Sequence, residues 1–133
     1  MSNSETILSE NTHPGDSTIE TVTGDKFKGD GYYGRSDGLH TIQIDLTGFI
    51  GKVTMQGTLS VDPTADDWFT VTLGSGQTMD TTGKIVSATT TKLEYTDNET
   101  SSKTYNFTGN YVWVRIYVSN WTDGTVNSIQ LNH

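Results

Sequence analysis

Apolar and polar side chains alternate along much of this chain, which predicts β-strands because successive strand side chains point to opposite faces. The clearest case is 111–118, Tyr-Val-Trp-Val-Arg-Ile-Tyr-Val. One face is aliphatic and consists of Val112, Val114, Ile116 and Val118. The other is aromatic with one arginine and consists of Tyr111, Trp113, Arg115 and Tyr117. A strand with two such faces is predicted to be central, with the core on its aliphatic side.

The aromatic face of this strand is a predicted partner interface. Tyrosine, tryptophan and arginine are enriched where proteins meet their partners. Two alternatives remain open for what covers this aromatic face. Either loops or an N-terminal arm of the same chain cover Tyr111, Trp113, Arg115 and Tyr117, or another molecule docks on them.

The same alternation predicts further short strands separated by turns. Strands over 40–46 and 53–61 are joined by a glycine turn at 48–51 into an antiparallel hairpin, and Asp-Gly within 121–124 predicts another hairpin turn. A strand is also expected over 68–73. Predicted inward residues of these strands include Leu59, Val61 and Phe69. The whole pattern predicts an all-β fold, an antiparallel, jelly-roll-like β-sandwich of about eight strands.

The length of 133 residues fits one hydrophobic core. Residues 1–17 are mostly polar, which predicts a flexible N-terminal arm. Residues 18–133 are then expected to form a single β-sandwich domain.

Charge and cysteine content narrow the function. The chain has 16 acidic and 8 basic residues, a formal net charge of −8, which argues against nucleic acid and anionic membranes as partners. It has no cysteine, and its N-terminus lacks the basic and apolar regions of a signal peptide. These features favour folding in a reducing cytoplasm.

No arrangement of residues predicts catalysis or metal binding. His13, His40 and His133 are far apart in the sequence, and His40 lies on an aliphatic strand face, where a hydrogen-bonded core histidine is expected. Most acidic residues fall at turns, where aspartate is common for local reasons. The Asp- and Gly-rich stretch 24–39 fails the ligand spacing of a calcium loop. We therefore expect no enzyme, no catalytic residue, no metal and no cofactor.

Four residues on predicted loops are candidates for ligand binding: Tyr32, Tyr33, Arg35 and Trp121. Exposed aromatic rings can stack on sugars or on partner proteins while their polar atoms form hydrogen bonds. The alternative is that these rings fold back over the ends of the sandwich.

Several motifs resemble structural proteins of tailed bacteriophages, notably marine and cyanobacterial ones. The first is the Gly-Tyr-Tyr-Gly sequence at 31–34. The others lie at 37–41, 55–59, 67–69, 107–115 and 121–126. The resemblance covers roughly 30–131 and consists of turns, core strands and aromatic residues.

This resemblance implies a jelly-roll-like virion module, placed in capsid decoration, neck, baseplate or tail fibre and assembled in the bacterial host cytoplasm. Its partners would be other virion proteins and further copies of itself, as a trimer or ring. It implies no catalytic residue. The alternative function is a carbohydrate-binding module that attaches to host or other surface glycans.

Overall fold

Antiparallel β-strands make up all the regular structure in the described part of the chain, which confirms the predicted all-β fold. The computed structural model describes residues 4–34, 38–79, 82 and 85–132. These residues form one curled, sandwich-like sheet of ten strands, where about eight were predicted. The strands are β1 (Glu5–Leu8), β2 (Asn11–Thr12), β3 (Glu20–Thr23), β4 (Phe27–Lys28), β5 (Leu39–Thr58), β6 (Phe69–Thr70), β7 (Leu73–Met79), β8 (Ile85–Thr90), β9 (Leu93–Thr108) and β10 (Trp113–Asn132).

Two strands of 20 residues each, β5 and β10, organise the sheet. They pair antiparallel along nearly their whole length, from Trp113 opposite Thr58 to Asn132 opposite Thr41. The sheet order is β1-β10-β5-β9-β7-β8, with β2, β3 and β4 also on β10 and β6 on β5. β10 therefore lies between β5 and the N-terminal strands, in the central position that its sequence predicts.

Neither of the two predicted hairpin turns reverses the chain. β5 continues through 48–51 and β10 continues through 121–124, with register shifts in both strands. Gly48 and Gly124 have φ angles of 61° and 88°, in the left-handed region that favours glycine. A Cβ on Gly124 would collide with the Gly48 carbonyl oxygen. Between the paired positions, β5 has one extra residue at 48–49 opposite Gly124, and β10 has two extra residues within 120–122, so both strands bulge in this region.

The N-terminal residues predicted to be a flexible arm are in part strands of the sheet. Glu5 of β1 pairs with Leu131, and Thr12 of β2 pairs with Thr125. Ile7 is only 3 % exposed and belongs to the core. This differs from the prediction for 1–17, because Ile7 enters the core, Leu8 packs against it, and the edge of β10 pairs with the backbone of β1 and β2.

The inner face of the curled sheet carries the hydrophobic core. Val114, Ile116 and Val118 are fully buried, as the alternation predicts. His40 is also fully buried, stacked on Phe107 with ring centroids 4.5 Å apart. Its Nδ1 lies 2.8 Å from the Gly38 carbonyl oxygen, and its Nε2 accepts a hydrogen bond from the Asp30 backbone N–H at 3.2 Å. His40 is thus a hydrogen-bonded core histidine, as expected.

Candidate interaction surface

The first half of β10 presents half-buried side chains on the outer face of the sheet. Trp113, Arg115 and Tyr117 alternate with the buried aliphatic residues between them. Opposite Arg115 lies Gln56 of β5, and opposite Tyr117 lies Thr54. The predicted separation of two faces is therefore observed from 113 to 118.

Tyr111 does not belong to this outer face, contrary to the prediction. It precedes β10, and its ring lies against Gly57 and Gly109, so that a Cβ on either glycine would collide with the ring. The Tyr111 and Phe107 ring centroids are 6.3 Å apart, and Tyr111 packs against the core. The strict alternation fails here because regular strand geometry begins only at Trp113.

Three cationic groups lie over aromatic rings around Trp113. Lys26 Nζ is 4.5 Å from the Trp113 ring centroid, and Lys28 Nζ is 4.6 Å from the Tyr32 ring centroid. These distances are in the range of cation–π attraction. The guanidinium carbon of Arg115 is 4.2 Å from the ring centroid of Trp68. We call these six residues the cation–aromatic surface; they are Lys26, Lys28, Tyr32, Trp68, Trp113 and Arg115.

The N-terminal side of this surface is brought to β10 by backbone hydrogen bonds. Lys28 of β4 pairs with Trp113. The Gly29 N–H donates to the Val112 carbonyl and the Gly31 N–H donates to the Tyr111 carbonyl, both at 2.9 Å. A Cβ on Gly31 would collide with backbone atoms of 110–111, so glycine permits this close approach. The turn that follows places Tyr32 over Trp113, with ring centroids 5.1 Å apart.

The other side of the surface depends on β5, β6 and the loop before β6. Pairing of Phe69 with Gly57 places the neighbouring Trp68 beside Arg115. The Arg115 Nε donates to Gln56 Oε1 at 2.7 Å. The Trp113 Nε1 donates to the Val61 carbonyl oxygen at 2.9 Å. Hydrogen bonds thus fix Arg115 and Trp113 in position.

The cations of this surface have no carboxylate partner in the described part of the chain. No carboxylate oxygen there lies within 4 Å of a cationic nitrogen of Lys26, Lys28 or Arg115. Desolvation by burial lowers the pKa of Arg115, and the nearby Tyr117 acts in the opposite direction. Arginine nevertheless stays protonated at neutral pH, because its ordinary pKa is so high. The surface therefore presents positive charge on an acidic protein.

The predicted loop residues separate into exposed and buried ones. Tyr32 and Tyr33 are 45 % and 48 % exposed, with ring centroids 5.6 Å apart. Arg35 lies outside the described residues. Trp121 was expected on a loop, but it is 2 % exposed, packs 5.9 Å from the Phe49 ring, and donates its Nε1–H to the Asp123 carbonyl. The register shift in β10 turns Trp121 into the core, so a ligand-binding role for it is wrong.

Sequence reasoning missed half of the cation–aromatic surface. Lys26 and Lys28 are two positions apart, which places them on the same side of an extended segment. This spacing is enough to predict that the two lysine side chains lie on one surface. The sequence contains no such indication for Trp68, because its contact with Arg115 depends on pairing between distant parts of the chain.

An apolar cleft of about 420 Å³ lies beside the end of β5. It is lined by residues 57–60, which include Leu59, and by Asp67, Phe69 and Tyr111. The predicted inward orientation of Leu59, Val61 and Phe69 is wrong, because they are 70 %, 75 % and 69 % exposed. β5 ends at Thr58, so residues 59 and 61 lie beyond the strand and its alternation does not bury them.

Other kinds of site are not found in the residues that the structure describes. Within them, no group of three or more histidine, cysteine, aspartate or glutamate side chains could hold a metal ion. Over the same residues there is no helix whose length and apolar character would let it cross a membrane.

Comparison with known proteins yields a similarity of fold. No protein-family model and no curated protein sequence matches the chain. The crystal structure of the SPBc2 prophage-derived protein YomS is similar to it, with a TM-score of 0.56 at 11 % sequence identity. The match covers 99 % of this chain and 91 % of YomS. The two proteins therefore share a fold over almost their whole lengths.

Proposed function

We propose that this chain is a structural component of a phage virion that acts through protein–protein contacts and catalyses no reaction. The observation that carries the proposal is the cation–aromatic surface, which combines tryptophan, tyrosine and arginine on one outer sheet face. These residue types dominate the binding energy of protein interfaces. Its expected partners are other virion proteins and further copies of the chain, as a trimer or ring.

The fold supports a phage origin within this proposal. YomS, which has a similar fold, is described as prophage-derived, and the motifs at 31–34 and 107–115 resemble phage structural proteins. Assembly in the cytoplasm of a bacterial host agrees with the absence of cysteine.

Both described histidines are held by hydrogen bonds within the protein. Both ring nitrogens of His40 contact backbone groups, and the residue is fully buried. His13 is 5 % exposed, accepts a hydrogen bond from the Gly15 N–H at Nδ1, and has its Nε2 2.9 Å from the Thr18 carbonyl oxygen. Neither imidazole is therefore placed to act as a general acid or base on a substrate.

Particle association tests the proposal directly. Particles of the phage or lysogen that encodes the chain are purified through a density gradient, and the chain is detected with an antibody. We expect it to sediment with the particles in a fixed ratio to the major capsid protein. Its presence only among unassembled proteins would contradict a virion role. The recombinant chain added to particles that lack it should restore the same ratio.

Carbohydrate binding is a second candidate function, favoured by the exposure of Tyr32 and Tyr33. Tyrosine rings can stack on the apolar face of a sugar. A glycan array probed with the intact chain and with Tyr33→Ala tests it. Binding that Tyr33→Ala abolishes would support adhesion, and no binding to any glycan would exclude it for the array members.

A further inference from the structure

Most of the large apolar side chains that solvent reaches lie at one end of the sheet. Seven such residues are exposed in the described part of the chain. Tyr32 contacts the Trp113 ring, and the Val61 carbonyl accepts the hydrogen bond of Trp113 Nε1–H. We call five of the seven the apolar patch; they are Tyr32, Tyr33, Leu59, Val61 and Phe69. Single exposed apolar residues are ordinary, whereas a cluster of them marks an interaction site.

Hydrogen bonds hold the segment that carries Leu59 and Val61 in position. The Val112 N–H donates to the Thr58 carbonyl oxygen at 2.9 Å, and the Trp113 Nε1–H donates to the Val61 carbonyl oxygen at 2.9 Å. The side chains of Leu59 and Val61 are nevertheless 70 % and 75 % exposed. The segment is thus fixed with these side chains in solvent, so little conformational entropy is lost there on binding.

The loop that follows Val61 is also held by its own hydrogen bonds. The Thr64 N–H donates to Asp67 Oδ2 at 2.7 Å, and the Asp67 N–H donates to the Thr64 carbonyl oxygen at 3.2 Å. Pro63 restricts the backbone of the same loop. Asp67 and Phe69, which line the apolar cleft beside the end of β5, therefore stand at the end of a fixed loop.

The apolar patch carries a cleft and a projecting aliphatic side chain next to each other. The cleft of about 420 Å³ has Leu59, Phe69 and Tyr111 among its lining residues. Val61 is not one of them, although it is two residues from Leu59. A cavity of roughly 150 Å³ already accommodates benzene, so the cleft has room for a side chain of the size of valine. The patch is therefore suited to a second copy of itself, because a two-fold axis between cleft and valine makes the same contact twice.

The charges in and beside the apolar patch are nearly balanced. They are the three cations of the cation–aromatic surface and the four carboxylates of Asp25, Asp62, Asp66 and Asp67. The other described residues include ten acidic and three basic ones. Two copies with a formal net charge of −8 repel each other least where the facing surfaces are nearly neutral. A patch with both signs also lets the cations of one copy meet the carboxylates of the other.

We propose that the apolar patch binds the same patch of a second copy of this chain, with Val61 of each copy in the cleft of the other. The inference rests on the proposed assembly function and names one of its contacts. Because the two surfaces are identical, the contact is isologous and closes at two copies. A ring of copies would then alternate this contact with a second one elsewhere on the chain.

The contact extends beyond the cleft. Seven residues line the cleft, whereas an interface of standard size takes about 20–30 residues from each partner. The cation–aromatic surface adjoins the apolar patch at Tyr32 and Trp113. It supplies tryptophan, tyrosine and arginine, which are the residue types that dominate binding energy when an interface covers them. The two surfaces are therefore expected to be covered together.

Charged substitutions of exposed side chains test the proposal by sedimentation velocity of the intact chain over a concentration series. The wild type should reach twice its monomer mass of 14.6 kDa. Val61→Asp brings a carboxylate into each cleft, and Leu59→Lys brings an ammonium group against each Val61. Each variant should lose self-association about a hundredfold or more, because an unpaired charge is costly in an apolar contact.

Mixing the two variants should restore the dimer. In the mixed dimer, the introduced carboxylate meets the introduced ammonium group at one cleft, and the unchanged Val61 and Leu59 meet at the other. A two-fold contact therefore predicts self-association close to that of the wild type, and this recovery also shows that both variants are folded. No recovery on mixing would overturn the proposal.

A matched control separates the contact from the change of charge. Ile19 is 69 % exposed, and its neighbour Glu20 pairs with Trp121, eight residues along β10 from Trp113. The rise per strand residue places Ile19 roughly 20 Å from the apolar patch. Ile19→Asp and Ile19→Lys make the same changes of charge there, and both should self-associate like the wild type. Equal loss of association in these controls would count against the contact.

Further outcomes distinguish this inference from the proposed function. A wild-type chain that stays at its monomer mass at every concentration, or that forms a trimer, overturns the two-fold contact, even if it sediments with particles and the virion role stands. A monomeric wild type whose incorporation into particles is abolished by Val61→Asp would assign the apolar patch to another virion protein instead. Dimers that follow the mixing rule, without particle association, would support the contact and contradict the virion role.

Discussion

The two halves of β10 have the same backbone partner but differ on their outer faces. Both pair with β5, and both bury aliphatic residues on the inner face. On the second half, Asn127 Nδ2 donates to Thr47 Oγ1 at 2.8 Å and to Asp45 Oδ1 at 3.2 Å. The Thr125 and Thr12 hydroxyls are also 3.1 Å apart. Polar side chains there satisfy one another, whereas the first half carries cations without carboxylate partners.

This difference indicates that the two halves of the outer face of β10 have different roles. Where polar groups bond to their own neighbours, a partner would have to break those bonds before it could gain its own. On the first half, Arg115 and Trp113 also bond to neighbours, but an anionic partner can pair with Lys26 and Lys28 without breaking a side-chain hydrogen bond of the described residues. The outer face of 113–118 is therefore better suited to binding than the outer face of 125–132.

The largest expected effect tests whether the inner faces of the two halves are equivalent. Ile116 and Ile129 are both fully buried. Each change to alanine should lower the free energy of unfolding by about 2–5 kcal/mol, from lost burial and the cavity left behind. Urea denaturation followed by circular dichroism measures this. If one variant were as stable as the wild type, the halves would differ in their cores as well.

The next effect concerns the bend between the two halves. Gly124→Ala should lower the free energy of unfolding by about 1–3 kcal/mol, because alanine is strained at a φ of 88°. Its Cβ would also collide with the Gly48 carbonyl. Gly15→Ala is the control, since Gly15 has a φ of 81° but no atom within 4 Å of the added Cβ. An equal loss in both variants would show that backbone strain alone matters, not the facing bulges.

A smaller effect tests the second half of β10, where polar side chains form hydrogen bonds with one another. Asn127→Ala removes two side-chain hydrogen bonds and should cost about 0.5–1.5 kcal/mol of unfolding free energy. Self-association, measured by sedimentation velocity, should not change. A variant that keeps its stability but loses association would place the contact on the second half instead.

Sequence alternation predicts the two faces of 113–118 because that property is local. It fails at Trp121 and at the predicted turns, because a bulge with a left-handed residue looks like a hairpin turn in sequence. The same Asp-Gly pair can reverse a strand or bend it. The choice depends on whether the partner strand bends at the same place, as Gly48 and Gly124 do here.

The cation–aromatic surface was only half predictable for a different reason. Trp113 and Arg115 could be assigned to an outer face from their own strand. Lys26 and Trp68 reach them only through pairing between segments far apart in the chain. A single sequence carries no record of that pairing.

The smallest expected effect on stability tests whether the cations of the first half are there for binding. Lys26→Gln and Lys28→Gln each remove one cation–π contact, worth about 0.5–1 kcal/mol at exposed sites. We expect each variant to unfold at a urea concentration close to that of the wild type. Their combination should nevertheless weaken self-association, because two of the three unpaired positive charges are gone. If the pair lost several kcal/mol of stability instead, the lysines would hold the fold together, and the contrast between the two halves of β10 would no longer indicate a binding surface.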